Sequence, residues 1–291
     1  MTVTTLVPDQ LYHLGTFIAL DGRLSWRAPD ARGFEPIGAY LVTQPDQCVL
    51  IYTGVAAQRD QMVADTRAAV GARELSLLVD RNEADVIGNL SALTNELDVA
   101  AIWYSGAGQI VRWFTYDDEN KGRYDAHPEL RYMVPRAPET ERIRQIFGDR
   151  PGVVELTGGR SLSLLYTNLG TLGYSWTWDE QTGTLFTGDF FAHGASPSGV
   201  DVVLTEQNDT TTYEQVKNHL FERFYWMRES RIEPLLDNLN GIFAAHEVER
   251  IAPNHGCVVQ GKALVARHLD WIRQAITTGA QEFADQHALE G

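Results

Sequence analysis

The segment DRNEADVIGNL occupies residues 80–90 and directly follows the apolar run LSLLV at 75–79. The apolar run predicts a short buried strand, and the apolar spacing from about Ile87 predicts a helix after the polar loop. Strand, loop and helix in this order place functional side chains at the carboxyl edge of a sheet. The polar residues of this loop are therefore the first candidates for a functional site.

The flanking sequence predicts a sheet on either side of the middle of the chain. In the first half, GAYLV at 38–42 and CVLIY at 48–52 predict a hairpin, followed by a helix at about Ala57–Val70. In the second half, strand-like runs (VVEL, SLSLLY, YSWTW, TLFTG) precede helical patterns at Tyr213–Phe243 and Lys262–Thr278. Two sheets with helices on their outer faces account for this order, so we expect an α+β protein, an αββα sandwich. No internal repeat or flexible linker divides the sequence, which predicts a single domain over residues 1–291.

Composition and charge limit the classes of function. Of 291 residues, 44% are hydrophobic, which is enough for a large core. The formal charge of −15 opposes binding to nucleic acid or to an anionic membrane. No signal-like segment opens the chain and no run reaches the length of a membrane span, so we expect a cytoplasmic protein. Cys48 and Cys257 lie outside any paired-cysteine spacing, which predicts two reduced thiols.

Two further segments extend the pattern of the loop at 80–90, namely TLFTGDFFAHG at 184–194 and ERIAPNHGCV at 249–258. In order and spacing, the three segments resemble the metallo-β-lactamase-fold di-iron domain of flavodiiron proteins. The first resembles the H-x-E-x-D-H loop of that family, whose glutamate separates it from the H-x-H-x-D-H hydrolases. The second resembles the strand that ends in the bridging aspartate, and the third resembles the loop that bears the last histidine ligand. The resemblance covers nearly the whole chain and implies a single flavodiiron-type domain.

Only part of the family's ligand set is present when the motif is carried over position by position. Four residues match metal ligands: Glu83, Asp85, Asp189 and His255. Three positions that carry histidine in the family carry other residues here: Arg81, Val86 and, counting back from Asp189, Gly170. Since no histidine occurs between His127 and His193, the third of these ligands is absent however the loop is aligned.

The resemblance implies that the two metal positions are affected differently. One position keeps only Glu83 and Asp189, and the guanidinium of Arg81 would replace the ion as the charge that neutralises them. The other keeps Asp85, Asp189 and His255, a set close to that of mononuclear non-haem sites. Two alternatives follow, a metal-free salt-bridged site or a site with one Fe, Mn or Zn ion. A di-iron centre is not expected with so few imidazoles.

The same resemblance bears on cofactors and partners. The family carries a flavodoxin domain after the last histidine region, whereas this sequence ends soon after its final helix. The sequence has no glycine-rich phosphate-binding loop of the kind that would indicate a flavin or nucleotide in this chain. A redox role would therefore need an electron donor on a separate polypeptide. The resemblance also implies a homodimer, and a small-molecule ligand is compatible with it.

Two residues are candidates for catalysis. His193 lies four residues after Asp189 and resembles a histidine that the family places near its bridging aspartate, so it would donate a proton; the alternative role is to satisfy loop carbonyls. Tyr174, Trp176 and Trp178 alternate along a strand and share one face, where they would wall a substrate pocket or pack in the core. The remaining histidines give no signal for a special role: His13, His127, His219, His246, His268 and His287.

The sequence supports two functions. The first is a degenerate flavodiiron-like protein without the di-iron centre, acting as a binding or partner subunit. The alternative is an enzyme with one Fe, Mn or Zn ion that acts on a small molecule, as an oxidoreductase rather than a hydrolase. Glu83 and the lost histidines argue against hydrolysis by two zinc ions of the β-lactamase type.

Overall fold

A computed structural model describes residues 2–22, 24, 26–81, 83–105, 128–133, 152–170 and 175–288. The chain divides into two compact units. Unit 1 comprises Met1–Thr16, Ile37–Tyr166 and Leu172–Thr182, and unit 2 comprises Phe17–Pro36, Thr167–Thr171 and Gly183–Gly291. The expectation of a single domain over residues 1–291 stays a prediction.

Strands from the first half of the chain form a mixed sheet. Within the described residues they are β1 (Thr2–Val7), β2 (Leu11–Ala19), β3 (Phe34–Thr43), β4 (Gln47–Ile51), β5 (Glu74–Val79), β6 (Val99–Tyr104) and β7 (Glu129–Tyr132), in sequential order. Strands β3 and β4 pair antiparallel with Tyr40 opposite Ile51, which confirms the predicted hairpin. Strands β4, β5, β6 and β7 pair parallel, so their carboxyl ends meet at one edge of the sheet. The loop that follows β5 begins at that edge.

Strands from the second half form another mixed sheet. They are β8 (Val153–Glu155), β9 (Ser161–Tyr166), β10 (Ser175–Asp179), β11 (Thr184–Gly188), β12 (Val203–Leu204), β13 (Arg250–Pro253) and β14 (Val258–Gln260), in the order β12-β14-β13-β11-β10-β9-β8. In unit 1, β9 pairs antiparallel with β8 and with β10. In unit 2, β11 pairs parallel with β13, and β13 pairs antiparallel with β14. Because β11 and β13 are parallel, the residues that follow them, Asp189 and His255, emerge at the same edge.

Helices connect and flank these strands. The described helices are α1 (Arg59–Val70), α2 (Ala84–Ile87), α3 (Leu90–Glu96), α4 (Tyr213–Arg223), α5 (Ile232–Ala245) and α6 (Lys262–Ala288). Two mixed sheets with helices confirm the predicted α+β class.

The helix boundaries differ from the predicted ones in two places. The helix expected from about Ile87 begins at Ala84, so Asp85 and Val86 lie on α2 rather than in a loop. The pattern at 213–243 divides into two helices, because Phe224 leaves helical geometry at φ −126° and ψ 47°. An uninterrupted helix would place Pro234 in its interior, whereas the observed break puts it in the first turn of α5, where a missing N–H costs little.

The core contains the aromatic pair that the sequence placed on one strand. Trp176 and Trp178 on β10 are buried, as expected for core packing. Both cysteines are free and buried, and burial raises the pKa of the Cys257 thiol to about 12, so it is protonated at neutral pH. Among the described helices, none combines the length and apolar character needed to cross a bilayer.

Candidate metal centre and its ion pairs

The loop after β5 in unit 1 holds three of the predicted site residues together. The side chain of Arg81 is buried, and its Nε atom lies 3.4 Å from Oε2 of Glu83 while its Nη2 atom lies 3.8 Å from Oδ2 of Asp85. Glu83 immediately precedes α2, and Asp85 lies on the first turn of that helix, one helical turn beyond Arg81. Glu83 is half exposed, whereas Asp85 is buried. The guanidinium is thus positioned to neutralise both carboxylates of this loop.

Val86, at a lost histidine position, has a structural role in unit 1. Its side chain is fully buried, and its carbonyl oxygen accepts hydrogen bonds of 2.8 Å from both the backbone N–H and the hydroxyl of Thr53. The side chain of Asn89 donates to the carbonyl of Thr53 at 2.7 Å, which ties α2 to the chain after β4. An apolar residue packed in this way offers no ligand atom to an ion.

In unit 2, Asp189 is bound by a guanidinium that the sequence analysis did not anticipate. Arg223, the last residue of α4, donates from Nε to Oδ2 of Asp189 at 2.9 Å, and its Nη2 atom also contacts that oxygen. The Asp189 side chain is only 3% exposed. Charge-assisted bonds of this kind are the strong hydrogen bonds of proteins, and here they engage one of the two carboxylate oxygens.

His255 lies between two carboxylates of unit 2. Its Nδ1 atom is 2.8 Å from Oε1 of Glu35, and its Nε2 atom is 3.4 Å from Oδ1 of Asp189. Burial alone would lower the pKa of His255, but the negative charge of Glu35 and hydrogen bonds with Asp189 and Glu35 raise it to about 9. The raised pKa favours the protonated imidazole at neutral pH, as an ion-pair partner of Glu35 and Asp189.

Glu35 is itself fully buried and held by two further donors. Oε1 accepts from Nε of Arg27 at 2.9 Å, and Oε2 accepts from the indole N–H of Trp26 at 3.0 Å. Burial would raise the pKa of Glu35, but the charges of Arg27 and His255 lower it to about 2. Arg27 also donates to the backbone carbonyls of Ala192 and His193. This buried cluster links the chain before β3 to the turn that carries Asp189.

Backbone geometry around the two loops is unusual for their residue types. Phe191 adopts a left-handed φ of 64°, which is uncommon for a residue with a side chain. Gly256, next to His255, has φ 83°, and a Cβ atom there would lie 2.5 Å from the carbonyl oxygen of Ala192. Only glycine fits such a close approach, so Gly256 lets the loop after β13 contact the turn after β11.

His193 takes part in a chain of buried hydrogen bonds that is separate from the candidate metal ligands. Its Nε2 atom lies 2.8 Å from Nδ1 of His268, and Nε2 of His268 lies 3.1 Å from Oδ2 of Asp209. Arg267 donates to the same Asp209 oxygen at 2.7 Å. His219 lies beside this chain, with its ring centre 6.3 Å from that of His193 and 6.4 Å from that of His255. No signal in the sequence indicated these contacts of His219 and His268, and the expectation that neither residue has a special role stays a prediction.

The remaining predicted positions are Tyr174 and Gly170. Tyr174 lies outside the described residues, so its proposed catalytic role stays a prediction. Gly170 is described and provides no side chain that could bind an ion. The sequence analysis missed the unit 2 residues that engage the candidate ligands and His193: Arg27, Glu35, Asp209, Arg223 and His268.

The four residues that match metal ligands are fewer than the set that the resemblance implies for a di-iron centre. They supply three carboxylates and one imidazole, whereas such a centre needs several imidazoles. One oxygen of Asp189 accepts from Arg223, and His255 lies between two carboxylates. Within each unit these residues form ion pairs and hydrogen bonds with neighbouring side chains.

Comparison with solved structures identifies the fold. The rubredoxin oxygen:oxidoreductase of Desulfovibrio gigas matches with a TM-score of 0.64 and 15% identity, over 94% of this chain and 61% of that chain. A variant of the flavo di-iron protein of Thermotoga maritima matches with a TM-score of 0.67 and 15% identity, over 94% and 61%. A metallo-beta-lactamase from Pontibacter korlensis matches with a TM-score of 0.52 and 13% identity, over 94% and 98%.

Neither family models nor curated proteins give a match to the sequence. The chain spans about three fifths of the flavodiiron structures that it matches, and identities of this size establish the fold alone. The resemblance predicted from the three segments is thus confirmed at the level of fold. This chain has the metallo-β-lactamase fold found in the core of flavodiiron proteins.

Proposed function

We propose that this chain is a degenerate flavodiiron-like protein that works without a di-iron centre, as a binding protein or as the partner subunit of a redox protein. The observation that carries the proposal is the ion pair between Arg223 and Asp189. A bridging aspartate must offer its oxygens to metal ions, but here a permanent cation occupies Oδ2. Because guanidinium does not deprotonate, this competition persists at every physiological pH.

The loop of unit 1 supports the same proposal. Arg81 lies within ion-pair distance of both Glu83 and Asp85. The three carboxylates that match metal ligands therefore each have a positively charged partner, which is Arg81 in unit 1 and Arg223 together with His255 in unit 2. Such pairing supplies the neutralisation that ions would otherwise provide.

Metal analysis of the full chain, purified without chelator, tests the proposal. We expect less than roughly a tenth of an equivalent of any transition metal, unchanged after incubation with Fe(II), Mn(II) or Zn(II). A double variant, Arg81→His with Val86→His, restores two family ligands and should raise metal uptake. Arg59→His, at an exposed position of unit 1, is the matched control and should not. One tightly bound equivalent in the unaltered chain would disprove the metal-free state.

A second candidate is a mononuclear enzyme, because Asp189 and His255 lie 3.4 Å apart in unit 2 and the resemblance to flavodiiron proteins assigns Asp85 to the same metal position. These three residues would hold a single Fe, Mn or Zn ion, which would supply an acidified water molecule or a site for dioxygen. His193 would then move protons. This function requires a stoichiometric ion that is lost in Asp85→Asn and His255→Gln but kept in Asp270→Asn, an exposed control.

Assembly with other chains is part of the proposal. We expect a homodimer, by the resemblance to flavodiiron proteins, and a redox role would require an electron donor on a separate polypeptide. Sedimentation of the purified chain measures the first expectation. A monomer across the accessible concentration range would rule out the homodimer.

A further inference from the structure

A cavity of about 570 Å³ lies within unit 2, and its described lining includes neither Arg223 nor Asp189. Its lining includes the buried imidazoles of His193 and His219 together with polar residues from the start of α4. The volume is within the usual range for a small-molecule site. Unlike a surface groove, this cavity is lined in part by titratable side chains that are almost completely buried.

The buried imidazoles have hydrogen-bonding capacity that the protein does not use. Among the described residues, Nδ1 of His193 and both ring nitrogens of His219 have no hydrogen-bond partner. His193 is 4% exposed and His219 is 5% exposed. Buried polar atoms are nearly always paired, so three unpaired ring nitrogens at one cavity point to a molecule that pairs with them. Both rings are therefore almost completely shielded from bulk solvent.

The hydrogen-bond chain behind His193 determines which of its ring nitrogens is left for a ligand. Hydrogen bonds from His268, Thr211 and Arg267 outweigh the effect of burial and lower the pKa of Asp209, so this residue is a carboxylate that only accepts. Nε2 of His268 must then donate to Asp209, while Nδ1 of His268 forms the hydrogen bond with Nε2 of His193. Nδ1 is therefore the ring nitrogen of His193 that is left for a molecule in the cavity.

The charged groups at the cavity define the kind of ligand. The guanidinium of Arg27 is engaged by Glu35 and by backbone carbonyls, and that of Arg32 donates to the carbonyls of Pro29 and Ala31. The acidic side chains of Asp30 and Glu222 line the exposed part of the cavity. Acids at the rim disfavour an anion, and the buried charge of Arg27 disfavours a cation at the imidazoles.

We infer that this cavity of unit 2 binds a small uncharged molecule rich in hydroxyl groups, which forms hydrogen bonds with Nδ1 of His193 and with the ring nitrogens of His219. Hydroxyl groups suit the site because each can donate to one imidazole nitrogen and accept from another. The site would operate whether or not the carboxylates of the chain hold an ion, so it goes beyond the proposed function.

NMR of the full chain with ¹⁵N-labelled histidine tests the inference. Addition of glycerol or glucose should shift the ring nitrogens of His193 and His219, whereas glucose 6-phosphate, with the same skeleton and a negative charge, should bind at least roughly tenfold more weakly than glucose. The reference is His13, a buried histidine that does not line this cavity and has an unpaired Nδ1 of its own, so its signals should not move.

Two variants that fill the cavity test where the ligand binds. Ala195→Trp fills the cavity from its lining and should reduce the glucose-induced shifts at least roughly tenfold at equal ligand concentration, and Ala28→Trp serves the same purpose if the first variant does not fold. The inference is wrong if neither polyol shifts the two imidazoles, if His13 shifts equally, or if the shifts survive in the filled variant. Metal content is measured separately, so failure here leaves the metal-free proposal intact.

Discussion

Arg223 and Asp189 form a hydrogen-bonded ion pair in unit 2, with Nε of the guanidinium 2.9 Å from Oδ2 of a carboxylate that is almost completely buried. Asp189 directly follows β11, and Arg223 ends α4. The pair therefore anchors the carboxyl end of a helix to the edge of the sheet where the fold's metal ligands are expected. Its cation also comes from a helix C-terminus, where positive charge is favourable.

Replacing Arg223 with alanine should destabilise the protein. The change leaves the buried carboxylate of Asp189 with less compensating charge, and we expect a loss of about 1–3 kcal/mol in the free energy of unfolding, since His255 remains as a partner. Urea denaturation measures it. The control is Arg273→Ala, which breaks a more exposed ion pair with Asp270 and should change stability by no more than about 0.5 kcal/mol. Equal effects in the two variants would show that the ion pair is not important for stability.

The Arg81→Ala variant tests whether the guanidinium of Arg81 stabilises unit 1. Arg81 is buried beside Glu83 and Asp85, and its removal should cost about 1–3 kcal/mol of unfolding free energy. Arg59→Ala, which removes an exposed arginine paired with Glu96 in the same unit, is the matched control. If thermal melting of the Arg81 variant is indistinguishable from that of the control, Arg81 does not neutralise these carboxylates.

The stability of the protein should decline at alkaline pH because of His255. A histidine whose pKa is raised from 6.5 to about 9 in the folded state contributes stability that is fully present below pH 6.5 and is lost as the pH rises through 9. Glu35→Gln removes the principal charge that raises this pKa, so the variant should be less stable near pH 6.5 and show a shallower loss toward pH 9. Urea denaturation across this range measures both effects.

The comparison variant for the pH series is Glu214→Gln, an exposed position on the first turn of α4. It should follow the unaltered protein across the whole range. If Glu35→Gln has the same alkaline slope as the unaltered protein, His255 is not the group that titrates, and its protonated state at neutral pH is wrong.

Much of the fold could be predicted because local pattern and topology agree. The apolar run before Arg81 and the strand before Asp189 have strand-like composition, and each ends where its polar residue begins. The parallel pairing of β11 and β13 then brings the residues after both strands to one edge. The spacing of the three segments carried this information, so Asp189 and His255 could be placed from the sequence, as their 3.4 Å separation shows.

The partners of these residues could not be named because they depend on tertiary contacts between distant segments. A signal was nevertheless present on α4. Val216 and Leu220 mark its buried face, and His219 and Arg223 follow at offsets of three from these residues, so two polar residues lie on an apolar stripe. Burial of a polar group costs free energy unless the group is hydrogen-bonded, so such a position indicates a partner, as Arg223 has in Asp189. What the sequence lacked was the identity of that partner.

His268 illustrates the same limit on α6. It lies four residues after Leu264 and four before Ile272, both buried, which places it on the buried face of the helix. Its partners, His193 and Asp209, are 75 and 59 residues away in sequence. No local pattern connects such positions, so the hydrogen-bond chain is visible only once the strands and helices of unit 2 are assembled.

Gly256→Ala should disrupt the loop that carries His255. The new Cβ atom would lie 2.5 Å from the carbonyl oxygen of Ala192, at a left-handed φ of 83° that alanine rarely adopts. Backbone strain of this kind costs about 1–3 kcal/mol, and relief of the clash would also separate the loop from the turn after Asp189. We therefore expect lower unfolding free energy and, because His255 loses its position, a pKa of this residue closer to 6.5 in histidine NMR titrations.

Gly261→Ala separates the effect of backbone strain from that of the Cβ collision, because Gly261 has φ 103° but open space where its Cβ atom would lie. This variant carries the backbone strain without the collision, so it should be destabilised less than Gly256→Ala and should leave the pKa of His255 at about 9. If the two variants lose equal stability and His255 titrates alike in both, the contact between Gly256 and Ala192 does not hold the imidazole in place. The position of His255 would then depend on its bonds to Glu35 and Asp189 alone.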